Sequence, residues 1–73
     1  MIEVRLFATL REGRGKILFF EKEDFSIASD ILKKLQIPEE EVAIYLINGF
    51  HASLDAPVED GDVLALFPPV GGG

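Results

Sequence analysis

The chain has 73 residues, 48% of them hydrophobic, with a net charge of −6 and no cysteine. That describes one small globular domain; it excludes intrinsic disorder, disulfide staples, thiolate metal sites and a thiol nucleophile. No apolar run approaches the ~20 residues of a membrane-spanning helix and no signal-peptide pattern opens the chain, so the expected setting is the reducing cytoplasm.

Residues 2–7, Ile-Glu-Val-Arg-Leu-Phe, alternate in polarity and predict a half-buried strand. Ile2, Val4 and Leu6 share one face; Glu3, Arg5 and Phe7 share the other. Arg11 to Lys16 is polar and glycine-rich, hence a turn, and Ile17-Leu18-Phe19-Phe20 forms the second strand of a hairpin. Ser26 is the expected N-cap of a helix, its hydroxyl accepting an amide of the first turn. Ile27, Ala28, Ile31, Leu32 and Leu35 then fall on one helical face, with Asp30, Lys33 and Lys34 opposite. The helix should end near Gln36, because Pro38 disfavours helical geometry at Ile37. Glu39 to Glu41 form a solvated connection. Ala43 to Ile47 is continuously apolar, as in a central strand. Asn48-Gly49 suits a tight turn, Phe50 to Ala52 a short edge segment, Pro57 to Asp62 a second turn, and Val63 to Phe67 the last strand. One helix on a mixed sheet of four to five strands is an α+β architecture.

Charge is unevenly spread. All seven basic residues lie at or before Lys34; from Leu35 onward there are seven acids and no Lys or Arg. An acidic C-terminal half repels nucleic acid and anionic membranes, so neither is an expected partner, and it favours a basic protein surface.

After Phe67 the sequence reads Pro68-Pro69-Val70-Gly71-Gly72-Gly73. Three glycines in succession at a given place arise by chance in about 1 chain in 3,000 at average glycine usage. Six residues can reach roughly 20 Å. A glycine tail enters channels that any Cβ would block. The expected division is a folded domain over 1–69 and a flexible tail over 70–73.

Strand parity supplies a second feature. Leu64 and Leu66 should face the core; Val63, Ala65 and Phe67 should face outward, as Phe7 does in the first strand. If the first and last strands are neighbours, Phe7, Ala65 and Phe67 form an apolar patch beside the tail, as interfaces do. The competing expectation is that a ring curls over the sheet and is half buried.

Four segments carry a family likeness. Leu66-Phe67-Pro68-Pro69-Val70-Gly71-Gly72-Gly73 resembles the Phe-Pro-Pro-Val-x-Gly-Gly ending of the MoaD branch of the MoaD/ThiS family. Leu6-Phe7-Ala8-Thr9-Leu10-Arg11-Glu12 resembles that branch's opening Phe-Ala-x-Leu-Arg-Glu. Ile47-Asn48-Gly49 and Pro57 to Asp62 match weaker, family-wide turn motifs. The chain departs from the branch in being short between Leu35 and Val42 and in having three glycines where two are usual.

The resemblance implies a ubiquitin-like β-grasp fold and a sulfur carrier, itself not an enzyme. It implies that the Gly73 carboxylate is adenylated by a ubiquitin-activating-like adenylyltransferase using ATP. The product then becomes a thiocarboxylate and donates sulfur within molybdopterin synthase, whose large subunit holds the catalytic residues. No cofactor is expected on the chain itself. Gly71 and Gly72 would thread the partner's channel, with Phe7, Val63, Ala65, Phe67, Pro68, Pro69 and Val70 as the partner-binding set. Alternatives of the same fold are a ThiS-like carrier for thiamine thiazole synthesis and a ubiquitin-like modifier or interaction module.

Chemistry inside the domain has little support. His51 is the only histidine and has no thiol or serine motif to activate. Asp60 and Asp62 flank Gly61 and read as turn residues rather than as a metal site. Gly13-Arg14-Gly15-Lys16 lacks the spacing of a phosphate loop and sits in a hairpin.

Overall fold

The structure, a computed structural model, describes residues 1–69. Five strands form one sheet: β1 (Ile2–Leu6), β2 (Ile17–Phe20), β3 (Ile44–Ile47), β4 (Phe50–His51) and β5 (Val63–Phe67), in the order β2-β1-β5-β3-β4. β1 and β5 are parallel; the other neighbours are antiparallel. Among the described residues one α-helix, α1 (Ala28–Leu35), covers one face. This is the ubiquitin-like β-grasp expected from the sequence.

Parity works as predicted. Ile2, Val4, Leu6, Leu64 and Leu66 are all at most 1% exposed and meet Ala28, Ile31 and Leu32 of the helix. Three buried residues lay outside the expected core: Leu10 in a 3-10 turn after β1, Ile37 after the helix, and Val58 in the turn before β5. Each closes an end of the two-layer sandwich, which a periodicity argument cannot locate.

β5 occupies the middle of the sheet, hydrogen-bonded to β1 on one side and β3 on the other. The continuously apolar β3 lies one place further out, beside the two-residue β4. Its run is apolar because Tyr45 is core while Ile44 and Leu46 contribute to the opposite face.

Both ends of α1 are held by tertiary partners. Ile27, not Ser26, occupies the cap position, and no side chain caps the first turn. The Ser29 amide donates to the Leu54 carbonyl at 3.1 Å, and the Ser26 amide donates to Asp30 Oδ2 at 3.3 Å. At the other end, Gln36 takes the left-handed conformation at φ 59°. Arg14, from the β1–β2 connection, donates from Nε to the Leu35 carbonyl at 3.2 Å. A cation at a helix C-terminus satisfies carbonyls that have no intrahelical donor and complements the dipole.

Candidate functional site at the downstream end of β5

Phe67 is the last residue of β5 and is held from both sides. It pairs with Ile44 in β3, its carbonyl accepts from the Ala43 amide at 2.8 Å, and the Phe7 amide donates to the Leu66 carbonyl at 3.2 Å. Pro68 and Pro69 follow, and neither has an amide hydrogen, so ladder pairing cannot continue in the same manner. Pro69 is exposed and Pro68 half-buried. The backbone is therefore fixed to Phe67 and leaves the sheet immediately afterwards.

The outward-facing residues come together across β1 and β5. Arg5 stands beside Ala65, and Glu3 beside Val63, in the parallel register. The Phe7 and Phe67 rings stack, with centroids 4.2 Å apart and planes inclined by 12°. The Arg11 guanidinium sits 5.3 Å from the Phe7 ring centroid, and its Nε donates to the Leu6 carbonyl at 2.7 Å. Both rings are half-buried: each shields one face of the other, and the cation shields a third. The two expectations about these rings are thus joined, since the patch exists and its aromatic part is pre-packed. Val63 and Ala65 are half-buried beside it. Val70, Gly71, Gly72 and Gly73 lie outside the described residues, as does the expected mobility of the tail.

The apolar face is wider than parity in β1 and β5 suggested. Ile17 and Phe19 of β2 point the same way as Arg5 and Glu3, their register partners, and are 50% and 58% exposed. Ile44, beside Phe67, is 40% exposed. These residues needed the strand register to be found; a four-residue apolar run does not reveal which of its faces is free.

The fold also changes the electrostatic reading. Acids follow Lys34 in sequence, but the parallel β1–β5 pairing brings Arg5 and Arg11 beside the downstream end of β5. Glu39 to Glu41 form a 3-10 turn leading into β3, on the opposite flank of that end. The base of the tail thus has a basic side and an acidic side.

At the other end of β5, the two turn motifs prove to be one unit. Asn48, at φ 52°, donates from Nδ2 to Asp62 Oδ1 at 2.9 Å and accepts from the Val63 amide through Oδ1 at 2.9 Å. Asp62 Oδ2 accepts from the Glu59 amide at 2.8 Å. Gly61, at φ 91°, makes the reversal and donates to the Met1 carbonyl at 2.9 Å. The Met1 ammonium pairs with Asp60, which raises the pKa of the ammonium and lowers that of the carboxyl. Asp60 and Asp62 are therefore committed to the turn.

His51 of β4 is exposed and pairs with Leu46 of β3. Among the described residues, no three His, Cys, Asp or Glu side chains are grouped to hold a metal ion. No helix among them is long and apolar enough to cross a membrane.

Comparison with known proteins follows the same lines. The family model described as "ThiS family" matches residues 4–73. Small archaeal modifier protein 3 of Haloferax volcanii is 30% identical, with 99% of this chain and 98% of the relative covered. Among solved structures, SAMP1 of Haloferax volcanii superposes with a TM-score of 0.75 at 28% identity, covering 99% of this chain and 98% of that one. One subunit of a Helicobacter pylori complex of subunits 1 and 2 of molybdopterin-converting factor superposes with a TM-score of 0.63 at 29% identity, covering 99% and 97% of the two chains.

Proposed function

The chain belongs to the ThiS family, and on that footing we propose that it carries sulfur on Gly73 for molybdopterin synthesis. The observation that carries this reading is the anchoring of β5. The middle strand of the sheet is bonded on both sides up to Phe67, then two prolines release the chain toward Val70-Gly71-Gly72-Gly73. A rigid base sets where a thin tail starts, which suits delivery of an acyl group into a partner's site.

A carboxylate is a poor acyl donor. An activating enzyme would join the Gly73 carboxylate to the α-phosphorus of ATP, releasing pyrophosphate. A sulfur nucleophile would then attack the acyl carbon and expel AMP, leaving a thiocarboxylate. The Phe7–Phe67 stack, with Val63, Ala65, Pro68 and Pro69, forms the docking surface for that enzyme and, in turn, for the large synthase subunit. One surface serving both partners makes the two complexes mutually exclusive. The Helicobacter pylori complex of subunits 1 and 2 supports the second pairing.

A second reading is favoured by the likeness to the small archaeal modifiers. There, Gly73 would form an isopeptide bond with a lysine amine. Both readings share the activation step and diverge at the nucleophile.

The test uses the purified full chain, an activating enzyme, ATP and a sulfide source. The carrier reading expects exchange of one oxygen for sulfur in the C-terminal fragment; mapping to that fragment is needed because oxidation of Met1 adds nearly the same mass. Adding the large synthase subunit and the pterin precursor should return the carboxylate and give a sulfurated pterin. Adducts on lysine without thiocarboxylate would replace the carrier reading with the modifier one.

A further inference from the structure

β2 is an edge strand: among the described residues, nothing pairs with its outer side. In its antiparallel register with β1, the Leu6 amide donates to the Lys16 carbonyl at 2.8 Å. Bonded and non-bonded pairs alternate in such a ladder. Val4–Leu18 and Ile2–Phe20 are therefore bonded pairs, and the amides and carbonyls of Ile17 and Phe19 point away from β1. Those two residues also present the exposed side chains of the outer face, at 50% and 58%. Free backbone groups and free apolar side chains thus coincide at the same two positions.

An uncovered, uncharged Ile-Leu-Phe-Phe edge is what soluble proteins ordinarily blunt with a charge or a proline. β2 has neither within it. Its charge stands at the near end, where Arg5, Leu6, Phe7, Arg11, Lys16 and Ile17 line an open cavity of about 320 Å³. Three of those six are cations, in a chain whose net charge is −6. One carboxylate, Glu3, partly neutralises Arg5 through a 2.6 Å contact. Arg11 spends its Nε on the Leu6 carbonyl, and its terminal nitrogens have no hydrogen-bond partner among the described residues. Lys16 has no side-chain partner among the described residues.

We propose that β2 and this cationic cavity together bind an extended acidic–apolar segment of another protein, which adds as a sixth strand beside Ile17 and Phe19 and sets a carboxylate between Arg5, Arg11 and Lys16. The backbone edge supplies hydrogen bonds, the alternating side chains supply specificity, and the cations choose an acidic occupant. A small inorganic anion fits less well, because Leu6, Phe7 and Ile17 make three of the six lining residues apolar. The free edge of β2 lies on the far side of β1 from β5, so the added strand itself does not pair with β5, while the cavity adjoins the ring stack through Phe7 and Arg11. Its occupancy does not depend on any chemistry at Gly73.

The test is a titration of the full ¹⁵N-labelled chain with the synthetic peptide acetyl-Glu-Val-Glu-Val-Glu-Val-amide, its Gln-for-Glu counterpart, and inorganic phosphate. The expected result is saturable shifts at Arg5, Lys16, Ile17 and Phe19, with slowed hydrogen exchange of the Ile17 and Phe19 amides. The Gln peptide should bind roughly tenfold more weakly, since neutral hydrogen bonds replace charge-assisted ones. Lys16→Glu should weaken the acidic peptide while leaving the chain's melting temperature unchanged. Three results would overturn the proposal: no saturable response, shifts without protection of those two amides, or equal response to phosphate and to the acidic peptide. The last would make the cavity a small-anion site instead.

Discussion

The two ends of β5 are built on different principles. The upstream end is tied by polar side chains: Asn48 bridges to Asp62 and to the Val63 amide, and Asp62 holds the Glu59 amide. The downstream end has backbone pairing and a stack of two rings, with no side-chain hydrogen bond on Phe67 or the prolines among the described residues. Polar ties are directional and fix register; an aromatic stack is apolar area that a partner can extend. One strand therefore has an end tied in place by polar side chains and, on the proposed function, an end that a partner meets.

That contrast can be broken most strongly at Asn48. Asn48→Ala removes both side-chain bonds and leaves alanine at a positive φ, for an expected loss of about 2 kcal/mol in a urea melt. Partner affinity, measured by calorimetry on the folded fraction, should stay as it was. Phe67→Ala should do the reverse. It gives up a stacked pair, about 1 kcal/mol of stability, but on the proposed function costs more than about 1 kcal/mol of binding to an activating enzyme or a large synthase subunit. A fall in stability at Phe67 with unchanged affinity would erase the distinction between the ends.

Tyr45 sharpens the comparison from within the core. Its hydroxyl is buried with no hydrogen-bond partner among the described residues, and burial, reinforced by the charge of Asp62, pushes its pKa up to about 12. Tyr45→Phe should leave stability unchanged or raise it by up to about 1 kcal/mol. Because the folded state favours the protonated phenol, the tyrosine's contribution is complete below pH ~10, its unfolded pKa, and is lost as pH rises toward 12. Melts across that window should lose part of their pH dependence in Tyr45→Phe. The smallest effect belongs to the upstream rim. Asp60→Asn should produce no resolvable change near neutral pH, because the Met1–Asp60 pair is fully exposed. Any contribution it makes lies between the lowered pKa of Asp60 and the raised pKa of the Met1 ammonium, and vanishes outside that window on both sides.

Local pattern in the sequence makes much of this legible. Alternation in Ile2 to Phe7 and in Val63 to Phe67 assigned each side chain to a face, and Asn48-Gly49 and Gly61 marked their turns. What local pattern could not supply was long-range pairing. Ser26 looked like a cap because the sequence does not show that the Leu54 carbonyl takes the Ser29 amide. The C-terminal half looked uniformly acidic because only the parallel β1–β5 ladder brings Arg5 and Arg11 to the base of the tail. The exposed faces of Ile17 and Phe19 depended on a register that four apolar residues do not encode. Arg14 gave no sign that its guanidinium would reach the end of the helix, twenty-one residues away in sequence.

The middle position of β5 has a consequence for how the protein comes into being. A ribosome releases β1 and β2 first, then α1, β3 and β4, and only afterwards the strand that joins the two ribbons. Until Val63 to Phe67 emerges, the β1–β2 hairpin and the β3–β4 hairpin share no ladder, and isolated two-stranded hairpins are marginal in water. The closing contacts span most of the chain, a topology that folds late rather than progressively. A product of interrupted translation that lacks the glycine tail because it stops before Val63 also lacks its sheet. Proteases that clear unfolded chains would then remove it.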